Sequence, residues 1–227
     1  MSAPDAPMVS AVVFDLDGVL VDTEPVWADA KRELTLAAGG HWSTDAPIAM
    51  LGMSGPEWSQ YMHDELSLPL APEVIRERVV EGVLQRLAEA VPLIAGAHKA
   101  VTAIAARWPV GLASSADRPV IDAVLEAAGL DNVVRVSVSS DEAGAGKPAP
   151  DVYLAAAARL GVAAQAAVAI EDSANGMRSA KAAGMRLIAI PNQHAPVDDG
   201  VLRIADVVLA AITELTPATV ETLSVER

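Results

Sequence analysis

Short apolar runs rich in valine, isoleucine and alanine recur along the chain at 9–14, 110–113, 133–138, 167–170, 187–190 and 207–209. Each is too short for a helix and bounded by polar or turn-forming residues, the signature of a buried strand. Between the later runs lie amphipathic stretches at 97–107, 118–128, 151–160 and 175–183 whose apolar spacing predicts helices. Strands alternating with helices of this length form βαβ units, so the expected fold class is α/β, with a parallel sheet covered on both faces. Right-handed crossovers then bring every strand's C-terminus to one edge. The alternation fails between 24 and 90. There the pattern predicts helices only, at 25–38, 45–51, 56–66 and 72–90, with Pro25, Pro56 and Pro72 at first-turn positions where proline is tolerated. The organisation expected is a core formed by 1–22 and 91–227, interrupted by an all-helical cap domain at 23–90.

Polar residues punctuate the apolar pattern just past the predicted strand ends, the edge at which open α/β sheets bind ligands. Asp15 and Asp17 follow the first strand, and Ser114 and Ser115 the second. Lys147 lies in the loop after the third, and Glu171 and Asp172 follow the fourth. Carboxylates crowded on one edge repel one another unless a cation sits among them. Hard oxygen ligands with room for water or phosphate oxygens suit Mg²⁺. A carboxylate can also attack phosphorus. Residues i and i+2 of an extended segment point the same way, so Asp15 and Asp17 can face one phosphoryl group, one as nucleophile and one as acid and base. Ser114 and Lys147 supply donors for its remaining oxygens.

Composition narrows the partners. The net charge of −14 comes without any lysine- or arginine-rich run, which argues against nucleic acid and leaves a small phosphorylated metabolite as the expected partner. No cysteine is present, so neither disulfides nor thiolate metal sites enter. His41, His63, His98 and His194 show no metal-ligand spacing. Residues 1–9 lack a basic segment and a long apolar one, and nowhere do eighteen apolar residues run together. No membrane association is expected; the expectation is a cytoplasmic protein, a monomer or weak homo-oligomer.

The polar sites sit in four stretches: FDLDGVLVDTEP at 14–25, ASSA at 113–116, GKPAPD at 146–151 and IEDSANG at 170–176. In sequence, order and spacing they resemble the motifs of the haloacid dehalogenase superfamily, in the branch of β-phosphoglucomutase and small sugar phosphatases. The resemblance covers nearly the whole chain and implies a Rossmann-like core with a helical cap between the first two motifs. Carried over, it makes Asp15 the nucleophile and Asp17 the general acid and base. Ser114, with the Ser115 N–H, would hold the phosphoryl group, and Lys147 would neutralise it together with Asp15. Mg²⁺ would be ligated by the Asp15 carboxylate, the Asp17 backbone carbonyl and Asp172, with Glu171 binding directly or through water. An aspartate at position 17 favours transfer to and from oxygen over carbon–halogen chemistry.

Within that branch the sequence departs from the mutases. They carry a histidine shortly after the first motif, where this chain reads Glu24-Pro25-Val26-Trp27. The stretch MLGMSGPEW at 50–58 contains no basic residue, and Leu51, Gly55 and Trp58 occupy the places of a lysine, an arginine and a serine. A mutase must hold two phosphates and a phosphatase one, so a phosphatase acting on a small phosphorylated metabolite is expected, Trp27 and Trp58 lining its substrate side. The mutase alternative rests on Arg118, which stands close enough to the phosphate site to meet a substrate oxygen. An aspartate-phosphorylated signalling domain shares the acidic cluster but has neither an acid/base at the place of Asp17 nor a cap, and a non-catalytic phosphate-binding protein on the same scaffold would not need every polar role filled.

Overall fold

A computed structural model describes residues 8–50, 53–192 and 197–224. Leu51 and His194, singled out above, lie outside them. Six strands form one parallel sheet: β1 (Ala11–Phe14), β2 (Val110–Ser114), β3 (Val136–Ser139), β4 (Ala167–Glu171), β5 (Arg186–Ala189) and β6 (Val207–Val208). Their order is β3-β2-β1-β4-β5-β6, the doubly wound arrangement whose direction reverses beside β1. Every residue of β1, β2 and β4 is buried, which explains why these strands read as unbroken apolar runs rather than as alternations.

The side chains of each strand nevertheless part into two layers. Val12, Phe14, Val110, Leu112 and Ile170 face one side, against α5 (Ala97–Ala105) and α6 (Arg118–Ala127). Val13, Ala113, Ala169 and Leu187 face the other, against α8 (Asp151–Leu160) and α9 (Ala174–Ala182). The result is a three-layer α/β/α sandwich.

The predicted break at 24–90 contains four helices: α1 (Glu24–Ala37), α2 (Ala46–Ala49), α3 (Gly55–Asp64) and α4 (Pro72–Glu89). Pro25, Pro56 and Pro72 all fall in the first turn of their helix. At the start of α3 the Glu57 carboxylate accepts from both the N–H and the hydroxyl of Ser54, at 2.7 and 2.6 Å. α4 packs against α1 and α3, and through Ile75 and Val79 its buried side is continuous with the apolar layer under α6. Among the described residues no helix is long and apolar enough to cross a membrane.

Three details differ from the sequence reading. β3 begins at Val136 rather than at 133, because the N–H groups of Val133 and Val134 turn back to the Leu130 carbonyl. The short helices α7 (Ser140–Ala143), α10 (Asp199–Leu202) and α11 (Pro217–Glu221) are single-turn pieces with too few residues to show a period. Asp117 occupies the N-cap position of α6, as an aspartate just before a helix suggests, but its side chain makes no capping hydrogen bond. Its carboxylate instead accepts from Arg76 of α4, Nε at 2.7 Å, and Arg76 also pairs with Asp141.

Candidate active site

Register builds the site. Phe14 lies opposite Leu112 on one side and Ile170 on the other, so the residues that follow β1 and β4 leave the sheet at one height. The Asp15 N–H is fixed by the Ile170 carbonyl at 2.9 Å. Beyond it the chain makes a tight turn, the Leu16 carbonyl accepting from Leu20 at 2.8 Å and the Gly18 N–H reaching Val21 at 2.7 Å. Gly18 has a φ of 78°, and a Cβ there would stand 1.9 Å from Oδ2 of Asp172. Only glycine lets this turn press against the fourth motif.

Lys147 is the central cation. Its Nζ lies 2.9 Å from Oδ1 of Asp15 and 2.6 Å from Oε1 of Glu171, and it is 6% exposed. Burial works against its charge, but Asp15 and Glu171 outweigh burial and raise its pKa above the ordinary lysine value. Tyr153 of α8 donates to Oε1 of Glu171 at 3.0 Å and places its ring 5.1 Å from the ammonium. The other Glu171 oxygen accepts from the N–H groups of Asp172 and Ser173, both at 2.9 Å, and from the Ser173 hydroxyl at 3.1 Å. Burial would raise the Glu171 carboxyl, but Lys147 and these donors hold it below its usual value.

Asp15, Glu171 and Asp172 offer oxygens within 4.8 Å of one another, a group that could hold a metal ion. Two observations test the fit. Oδ1 of Asp172 is buried and lacks a hydrogen-bond partner, an arrangement that is costly in a protein interior. Burial, reinforced by Glu171 and Asp17 against Lys147, pushes Asp15 up to about 8, and burial with Glu171 and Asp15 raises Asp172. One lysine is too little charge for three buried carboxylates. A divalent cation with oxygen ligands answers both the orphan atom and the excess charge.

Asp17 lies outside this carboxylate group. Burial raises its carboxyl, opposed by hydrogen bonds from Thr23, Trp27 and Ser114, the last at 3.4 Å, and by the charge of Lys147. Asp17 therefore sits mainly among neutral donors, whereas Asp15 is bonded to a cation.

A cavity opens above these groups, lined from the sheet side by Asp15, Asp17, Ser115, Lys147 and Asp172. From the helical insertion it receives Trp27, Lys31, Met50 and Trp58. The structure thus brings Asp15, Asp17, Ser114, Ser115, Lys147, Glu171 and Asp172 to one edge, and both tryptophans to the opposing wall. Arg118 is the exception. It does not line the cavity; its guanidinium is spent on Glu142 at 2.6 Å, on Asp122 and on Ser137. Its position next to the second motif suggested a phosphate contact, but the first turn of α6 carries it toward β3 and α7.

Four contributors were missed. Thr23 and Tyr153 are buried donors to site carboxylates, and Asn192 lines the cavity beside Asp172. Lys31 points into the cavity from α1. Thr23, inside the first motif, was the one with a readable signal.

With this geometry in hand, comparisons place the chain among known proteins. It is 35% identical over 222 residues to hexitol phosphatase B of Escherichia coli, covering 95% of this chain and 97% of that protein. It is 30% identical to the fructose-1-phosphate phosphatase YqaB of Escherichia coli, over 80% of this chain and 96% of that one. The crystal structure of CbbY from Rhodobacter sphaeroides in complex with phosphate superposes with a TM-score of 0.85 at 28% identity, covering 94% of this chain and all of that one, 100%. Residues 9–184 match the haloacid dehalogenase-like hydrolases, and with the four motifs converging at the switch point of the sheet the chain belongs to that family.

Proposed function

We propose that the chain is a cytoplasmic, Mg²⁺-dependent phosphatase that hydrolyses a phosphorylated sugar or sugar alcohol through an aspartyl-phosphate at Asp15. The observation that carries the reading is the unlike setting of two neighbouring carboxyls. Asp15 is bonded to Lys147 at 2.9 Å inside the group suited to a metal, and Asp17 stands outside that group. Mg²⁺ held by Asp15, Asp172 and the Asp17 carbonyl, with Glu171 bonded behind them, would supply positive charge that returns Asp15 to its anion and neutralises phosphoryl oxygens. The Asp17 side chain, set among the neutral donors Thr23, Trp27 and Ser114 and raised by burial, is the one suited to carry the proton of a general acid.

The roles then separate. An Asp15 oxygen attacks phosphorus, the bond from phosphorus to the ester oxygen breaks, and Asp17 gives that oxygen its proton, releasing an alcohol. The Asp17 carboxylate next takes a proton from water as the water oxygen attacks phosphorus. The Asp15–phosphorus bond breaks and inorganic phosphate leaves. Lys147, the Ser114 hydroxyl and the Ser115 N–H meet the phosphoryl oxygens as charge develops. Residues 23–90 act as a cap that shields this chemistry from bulk water. The names of the two phosphatases above support the substrate class.

Metal removal tests the first part. Activity on a sugar phosphate should vanish after stripping with EDTA, return with Mg²⁺, and return poorly with Ca²⁺, whose larger coordination number spoils in-line geometry. Full turnover in the stripped protein would overturn the reading.

A second assay separates hydrolysis from isomerisation. Given β-glucose 1-phosphate with catalytic glucose 1,6-bisphosphate, the protein should release phosphate without accumulating glucose 6-phosphate. With Arg118 committed to Glu142, Asp122 and Ser137, it is not free to hold a second phosphate. Glucose 6-phosphate appearing without matching phosphate release would make it a mutase.

A further inference from the structure

Lys31 is a lysine in an unusual place. It lies one helical turn beyond Trp27 on α1, is 8% exposed, and lines the cavity opposite Asp15 and Asp17. Its Nζ sits 4.8 Å from the ring centroid of Trp58 and 5.5 Å from that of Trp27. The two indoles meet edge to face, centroids 6.1 Å apart at 60°. Among the described residues the ammonium meets these rings and no acceptor within hydrogen-bonding distance. Rings attract a cation but do not accept its N–H groups well, so the ammonium, which lines the cavity, keeps its donors for what binds there. Burying an ammonium that way is costly, and burial pulls this one down to about 8 against the pull of Glu24 and Asp17. The two indoles thus hold a cation on the wall that faces Asp15 and Asp17, where the leaving group of a bound ester would lie.

Glu24 decides what kind of acceptor. It lines the same cavity from the first turn of α1 and sets a carboxylate's negative field beside Lys31. A second anionic group on the substrate would meet Lys31 but also this negative field. A hydroxyl meets no such conflict, because it accepts from an ammonium and donates to a carboxylate at once.

We infer that Lys31, clamped by Trp27 and Trp58 and working with Glu24, is the specificity residue that recognises hydroxyl groups on the leaving group of the phosphate ester. The inference rests on the phosphatase reading above and assigns a part of the substrate to a residue. Phosphorylated polyols and sugars are then selected over esters of equal size that lack hydroxyls.

Lys31→Met tests it, since methionine keeps the apolar stem between the indoles and removes the donors. The readout is the ratio of kcat/KM for sorbitol 6-phosphate to kcat/KM for phenyl phosphate. Loss of a charge-assisted hydrogen bond should lower that ratio by about tenfold to a hundredfold, and Lys31→Arg should recover part of it. Should Lys31→Met prove unfolded by circular dichroism, Lys31→Leu gives the same reading. A ratio unchanged from wild type overturns the inference while leaving the phosphatase reading intact. A larger loss on 6-phosphogluconate than on sorbitol 6-phosphate overturns it in favour of anion recognition. Wild-type protein that hydrolyses phenyl phosphate but no polyhydroxylated phosphate overturns both the inference and the substrate class.

Discussion

Asp15→Asn is expected to lower kcat on the best phosphate ester by roughly 10⁴- to 10⁶-fold, the scale on which enzymes lose rate when a covalent nucleophile is removed. The loss has two sources. An amide oxygen has neither the charge nor the basicity to attack phosphorus usefully. The change also removes one of the three carboxylates that lie within 4.8 Å of one another, weakening the hold on a metal. The protein should nevertheless remain folded. Lys147 keeps its partner Glu171 at 2.6 Å, and the burial of charge that, with repulsion from Glu171 and Asp17, pushes Asp15 up to about 8 is relieved rather than increased. Steady-state kinetics paired with a thermal melt makes the check. A variant with a normal melt and one hundredth of the wild-type rate would show that Asp15 is not the nucleophile.

Gly176→Ala carries the largest expected cost in stability. Gly176 belongs to the first turn of α9, and a Cβ there would stand 1.6 Å from Oε1 of Glu171, inside bonding distance. Neither group can step aside cheaply. The Gly176 N–H is tied to the Ser173 hydroxyl at 3.1 Å, and Glu171 is fully buried with bonds to Lys147, Tyr153, Asp172 and Ser173. Displacing the carboxylate strands a buried charge and takes from Lys147 the nearer of its two partners, a disruption worth about 3–5 kcal/mol. For a chain of this size that is roughly 6–20 °C in Tm, with activity falling alongside. Gly82→Ala is the matched control, since a Cβ in that part of α4 meets nothing nearer than 3.4 Å. Equal melts for the two variants would mean that the first turn of α9 can reshape itself around Glu171.

The fold was legible because a doubly wound sheet writes itself as buried runs separated by amphipathic helices, and position 12 or 168 can serve no other element. The site was legible for a related reason. Asp15 and Asp172 interrupt apolar surroundings at strand ends, where a charged side chain has no role in packing. What stayed hidden depends on neighbours distant in sequence. Tyr153 reads as one more apolar position of α8 until the fold sets its hydroxyl against Glu171. Lys31 reads as a solvated helix residue until two tryptophans from different helices close around it. Arg118 erred in the opposite direction, because proximity in sequence to a motif does not say which way a side chain turns. Asp117 shows the same limit, its carboxylate claimed by Arg76 from α4 rather than by its own helix.

The place of β1 in the sheet has a consequence for how the protein fails. Its neighbours β2 and β4 hold it from both sides, and Ala11, Val12 and Val13 have no exposed surface at all. An edge strand can fray while the remainder stays folded, but a central one is released only when the whole structure opens. Asp15 directly follows that strand, so no partial opening at the rim of the sheet, at β3 or β6, reaches the reacting carboxylate. Heat or denaturant should therefore leave the reacting carboxylate itself in place until the global transition.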